Sequence, residues 1–131
     1  MSYSQTTHEI EVSVTPFYMD EESRPDEGHF FWAYRVSIIN RSGSAVKLLT
    51  RYWRIVDGHG QVEEVHGEGV IGEQPVIKPG GTYQYTSGCP LPTPHGIMSG
   101  HYMMRSAEGQ LSRVEIPAFS LDRPGTGRVL N

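Results

Sequence analysis

Residues 8–18, HEIEVSVTPFY, place Ile10, Val12 and Val14 on one side and Glu9, Glu11, Ser13 and Thr15 on the other. A period of two marks a half-buried β-strand. Pro16 lacks an N–H, so it either ends that strand or sits at a sheet edge. DEESRPDEG at 20–28 is acidic, contains a proline and reads as a solvated loop. HFFWAYRVSIINR at 29–41 is the strongest strand signal, aromatic and β-branched, with Phe30, Trp32, Tyr34, Val36 and Ile38 sharing a face. After the turn SGS at 42–44, AVKLLTRYWRIVDG (45–58) sets Val46, Leu48, Tyr52 and Val56 opposite Leu49, Trp53 and Ile55. Large side chains on both faces predict a central strand.

DGHG at 57–60 has the chemistry of a turn. Short strands follow at 61–67 and 75–77, then the turn KPGG at 78–81 and the alternating TYQYTS at 82–87. Pro90, Pro92 and Pro94 exclude regular structure from GCPLPTPHG at 88–96. Residues 97–106 and 111–119, joined by AEGQ, read as a hairpin, and 122–131 as a flexible C-terminal tail. Seven or eight short strands without an amphipathic helix predict an all-β, immunoglobulin-like or fibronectin type III-like β-sandwich, one domain spanning 1–121.

Composition narrows the functional classes. The net charge is −4 and the aromatics fall on strand positions without a basic stripe, which argues against nucleic acid and anionic membrane as partners. Cys89 is the single cysteine, so an internal disulfide and a cysteine-rich zinc site are excluded. Neither a signal-peptide pattern nor a bilayer-length apolar run occurs, and the expected location is the cytoplasm.

Gly67, Gly69 and Gly72 form a G-x-G-x-x-G, the spacing of a dinucleotide-binding loop. That loop needs a buried strand before it, a helix after it, and an acidic residue about 20 positions on. Here QVEEV precedes, Pro75, Pro79, Gly80 and Gly81 leave no room for a helix, and Gln74 through Ala107 contain no Asp or Glu. The glycines therefore serve the backbone; a nest of backbone N–H groups holding an anion stays open. A divalent metal has one candidate set, His59, Glu64, His66 and Glu68, and the spacing favours weak binding at most. No cofactor is expected. Cys89 with His95 is the one nucleophile–base pairing to consider, and an inert thiol is the simpler reading, so no enzyme is expected.

The remaining candidate is a surface. GEGVIGEQP presents Val70 and Ile71 between glycines, and Leu91 lies between Pro90 and Pro92, with Pro94 beyond. Loops on a rigid sandwich carry binding surfaces, and proline lowers the entropy lost on binding. Two arrangements fit equally: Val70, Ile71 and Leu91 face a protein partner, or they fold inward and close the sandwich.

Residues 51–104 closely resemble the ApaG family, also called CorD. The resemblance rests on R-x-W-x-I-x-D (51–57), V-x-G-x-G-V-x-G-E-Q-P (65–75), P-G (79–80), Y-x-Y-T-S-G (83–88), P-L-x-T-P-x-G-x-M-x-G-x-Y (90–102) and I-P-x-F-x-L (116–121). FFWAYRVSIINRS at 30–42 extends it across nearly the whole chain. It implies a fibronectin type III-like sandwich, an association with cobalt tolerance and magnesium efflux, and a protein-interaction role, with no catalytic residues to carry over. The expectation is a non-enzymatic module, monomer or homodimer, that binds an unidentified protein through 67–75 and 88–96; the alternative is a divalent-ion or small-anion sensor.

Overall fold

The alternation at 10–14 becomes a strand whose Ile10, Val12 and Val14 are buried. The computed structural model describes residues 1–125. Its strands, all paired antiparallel, are β1 (Tyr3–Thr7), β2 (Ile10–Tyr18), β3 (Phe30–Asn40), β4 (Val46–Asp57), β5 (Val62–Glu68), β6 (Val76–Ile77), β7 (Thr82–Leu91), β8 (His95–Ser106) and β9 (Leu111–Asp122). One sheet has the order β1-β2-β3-β7; the other is β5-β4-β8-β9, with β6 also pairing β4. The fold is the all-β sandwich that the alternation predicts.

The core lies between the inner faces. Every second residue of β3 from Phe30 to Asn40 is buried, as the pattern requires. These pack against Leu48, Trp53, Met98, Tyr102, Met104 and Phe119 of the facing sheet. Tyr34, Trp53 and Phe119 form an aromatic cluster with ring centroids 5.3–5.9 Å apart. Trp32 spends its indole N–H on the Asp122 carbonyl at 3.0 Å. The buried Asn40 donates to the carbonyls of Ser44 and Ile77 and accepts from the Ser42 N–H, which ties the β3–β4 turn to β6.

β4 is central, as expected, but its two-faced sequence has a different cause. A β-bulge at Leu49 shifts the register between Leu48/Met104 and Thr50/Met103. Before it the even positions Val46 and Leu48 are buried; after it the odd positions Trp53 and Ile55 are. One extra residue reverses the alternation.

Three expectations need correction. Nine strands form, because β1 pairs with β2 although YSQTT carries almost no apolar signal. Residues 88–96 are largely regular: β7 runs through Pro90 to Leu91 and β8 starts at His95. Pro90 is tolerated because β7 is an edge strand and needs no outward donor there. Pro16 is tolerated for the same reason, since β1 covers β2 only as far as Val14. Asp122 ends β9 and so does not belong to a tail; of the expected tail, 126–131 lie outside the described residues.

Candidate functional site

The two flanks of the sandwich differ. On one, β1 and β2 pack against β9 and close the gap between the sheets. Tyr3 meets Phe119 there, and the Glu115 N–H donates to Thr7 at 3.2 Å. On the other flank β7 and β5 are the sheet edges, and they do not pair with each other. A cleft of about 480 Å³ opens between them. It continues into a cavity of about 220 Å³ bounded by Val62, Pro90, Leu91 and Pro92. The two share Ile55, Glu63 and Pro90, so they form one groove along the flank.

The G-x-G-x-x-G segment crosses one end of this groove. Because of the bulge, the Leu49 carbonyl accepts from the Gly69 N–H at 2.8 Å and from the Gln74 side chain at 2.9 Å. Val70 and Glu73 then exchange both backbone hydrogen bonds, closing a two-residue turn over Ile71 and Gly72. Both turn residues have positive φ, +42° at Ile71 and +81° at Gly72. Glycine suits this primed turn geometry. A β-branched isoleucine does not, and the strained residue is 56% exposed at the groove rim. The N–H groups of Gly69, Val70 and Glu73 are consumed internally, which leaves those of Ile71 and Gly72 as the N–H groups of this turn that an anion could take.

The three glycines do separate jobs. At Gly69, with φ of +63°, a Cβ would lie 2.1 Å from the Glu73 carbonyl oxygen. At Gly67 it would lie 2.6–2.7 Å from the guanidinium of Arg51. At Gly72 it would meet nothing within 4 Å, and only the sign of φ matters. None of the three is followed by a helix.

Arg51 is the residue the sequence reading missed. It leaves β4 opposite the buried Tyr102, passes over Gly67, and donates from Nη1 to the carbonyls of Glu68 and Gly69 at 3.1 and 3.0 Å. It lines the groove with Tyr34, Tyr85 and Ser87. The Tyr85 and Tyr102 hydroxyls bond each other at 2.6 Å, and burial pushes both phenols up. Across the loop the Tyr83 hydroxyl donates to Glu73 at 2.7 Å. Burial, with that carboxylate, pushes its pKa up to about 12.

The candidate partner surface divides. Val70 and Leu91 fold inward, 1% and 6% exposed, and close the groove from within. Ile71, Gly72 and Pro92 stay exposed, and Pro94 is half-buried. Segments 67–75 and 88–96 do meet on one flank: Gly72 and Ile71 at one end of the groove, Pro90–Pro92 at the other.

The metal set does not converge. Glu64 accepts the Tyr52 hydroxyl at 2.6 Å, and His66 packs on the Tyr52 ring at 4.8 Å. His59 lies in the turn after β4, and Glu68 at the end of β5. Among the described residues no three His, Cys, Asp or Glu side chains stand close enough to hold a metal ion. His101 stacks on the other face of Tyr52 at 5.0 Å, and its Nδ1 is buried with no partner among the described residues. Cys89 is buried against the Pro90 carbonyl; burial, then the Glu63 charge, pushes its thiol up to about 12. His95 is taken by Asp122 at 3.1 Å.

Known proteins match this architecture. The model of the ApaG domain matches residues 20–106. The ApaG protein of Rhizobium meliloti is 57% identical over 129 residues, covering 98% of this chain and 99% of the relative. A crystal structure from Bordetella pertussis superposes with a TM-score of 0.86 at 43% identity, covering 94% of this chain and 97% of that one. The C-terminal domain of wzt, at 7% identity and a TM-score of 0.51 over 98% and 89% of the two chains, shares the fold alone. By sequence over nearly its full length, and by a sandwich shared with its relatives, the chain belongs to the ApaG family.

Proposed function

We propose that the chain is a non-enzymatic binding module that receives an extended segment of a partner protein in the groove between β5 and β7. The asymmetry of the flanks carries this reading. One flank is closed by packing, and the other keeps two strand edges beside a groove roofed by a strained, exposed Ile71. An added strand can pair with either edge while its alternate side chains enter the groove. The seven residues of β5 give an edge of about 20 Å, room for about six residues of partner. Glu63, Glu64, Glu68 and Glu73 line β5 and its loop, so the complementary segment carries lysine or arginine.

Two features support binding over chemistry. Cys89 is a buried, protonated thiol, and His95 is engaged elsewhere. The ligand geometry also favours reaching magnesium and cobalt handling through a partner over direct coordination. A cross-linked pull-down from host lysate tests the module. Ile71→Asp is the appropriate variant, because Val70 and Leu91 belong to the core. A partner captured by the wild type and lost with an equally stable variant is the expected result. Equal capture by both, or by neither, overturns it. Co²⁺ binding tighter than about 0.1 mM that His66→Ala abolishes would favour the ion-sensing alternative.

A further inference from the structure

We infer that the groove contains a carboxylate-binding subsite built on the guanidinium of Arg51. Arg51 is a half-buried cation in the inward phase of a core strand. Its Nη1 is satisfied by two backbone carbonyls. Among the described residues Nε and Nη2 make no hydrogen bond, and no carboxylate forms an ion pair with the group. Nε–H and Nη2–H form the side-on fork that matches the two oxygens of a carboxylate. An arginine held on one side by the backbone and left open on the other is pre-oriented: little rotamer freedom remains to be lost when a ligand binds.

The surroundings fix the class of anion. Tyr34, Tyr85 and Ser87 line the same groove as Arg51. Arg51 acts on all three nearby phenols, Tyr34, Tyr85 and Tyr102, opposing the upward push of burial on each. Glu63 and Glu68 also line the groove and repel a multiply charged ligand. Trp53, Val65, Ile71 and Pro90 add apolar wall. The site therefore suits a singly charged carboxylate attached to an apolar body, and disfavours pyrophosphate or a nucleotide. The glycines contribute indirectly: Gly67 is what lets the guanidinium lie across β5.

This inference does not depend on the ligand being a protein, since a free carboxylic acid and the C-terminus of a polypeptide present the same group. The probes are N-acetyl-leucine and N-acetyl-leucinamide, which differ in the carboxylate alone. Titration is followed by ¹⁵N NMR at the amides of Gly67, Gly69 and Gly72. The acid is expected to bind about tenfold or more tightly than the amide, and Arg51→Met to abolish that difference. Equal affinity of acid and amide on the wild type overturns the subsite, whether or not Arg51→Met folds. So does the absence of any shift at about 50 mM acid, or displacement of the acid by a lower concentration of pyrophosphate. A parallel pair, acetyl-Lys-Val-Lys-Val-Thr-Leu with a free or an amidated C-terminus, separates the sources. A peptide acid bound tighter than N-acetyl-leucine places a polypeptide terminus at Arg51. Equal binding of the two acids places a free acid there. Either result upholds the subsite, and neither requires a partner to be captured from lysate.

Discussion

Replacing Gly67, Gly69 and Gly72 by alanine, one at a time, separates the backbone account of the G-x-G-x-x-G from a ligand-binding one. At Gly69 the new Cβ falls 2.1 Å from the Glu73 carbonyl oxygen, which also accepts the Val70 N–H. A left-handed φ costs a non-glycine residue about 1–2 kcal/mol. Breaking the Val70–Glu73 pair adds about 1 kcal/mol per hydrogen bond. The stiffer unfolded state returns about 0.4–1 kcal/mol. A net loss of about 2–4 kcal/mol follows. Unfolding entropy near 2.1 cal/mol/K per residue gives about 0.28 kcal/mol/K for 131 residues, so Tm should fall by about 7–14 °C. At Gly72 the unfolded-state gain offsets much of the penalty of positive φ, for a net loss of about 0–1.6 kcal/mol. At Gly67 the added atom meets the far end of a flexible side chain, so stability should change little while N-acetyl-leucine affinity is lost. Differential scanning calorimetry on the three variants reads the order directly. A Gly69→Ala protein melting within about 2 °C of wild type refutes the reasoning, as does a Gly72→Ala protein destabilised as much.

Tyr102→Phe should cost about 1–3 kcal/mol in urea unfolding by stranding the Tyr85 hydroxyl, and adding Tyr85→Phe should recover part of it; a double variant weaker than either single one contradicts that account. Cys89 should react with iodoacetamide at pH 8 no faster than the protein unfolds, and alkylation at the rate of a free thiol in the native state would show the thiol to be accessible. His101 has its pKa lowered by burial, then by Arg113 and His66, against Glu115. Below its ordinary value near 6.5 the unfolded state binds the proton first. Stability is thus fully present above that value and lost as pH falls through the lower folded pKa. Urea midpoints should drop between pH 7.5 and 5 less steeply for His101→Gln than for wild type; identical slopes would remove His101 from the acid response.

The strands were legible wherever one face was apolar. β2, β3 and β8 follow alternation, β9 does so on either side of a phase shift at Ile116–Pro117, and the turns between them carry glycine or polar residues. β1 was not legible, since an edge strand with Tyr3 as its one large apolar side chain has no hydrophobic period to read. The prolines at 90–94 misled because edge position, which excuses a missing N–H, is a property of topology. β4 holds the clearest signal that passed unread. Arg51, Trp53 and Ile55 share one phase, and a cation in the inward phase of a core strand is an anomaly that points to a site. Reading it needed the bulge at Leu49, which decides which phase is inward. Whether Val70 and Leu91 faced in or out depended on tertiary packing of the loop, which a pattern of glycines and prolines does not specify.

The closed flank also governs how the domain can be held. β1 and β9 meet there, so the first strand begins at Tyr3 away from the groove, whereas β9 ends at Asp122 beside His95 and the Arg123 N–H donates to the Pro94 carbonyl at 2.9 Å. Three inter-strand spacings of about 4.8 Å put roughly 15 Å of sheet between β1 and the β7 edge. An affinity tag, a sensor surface or a fused domain attached ahead of β1 would leave the groove facing solution.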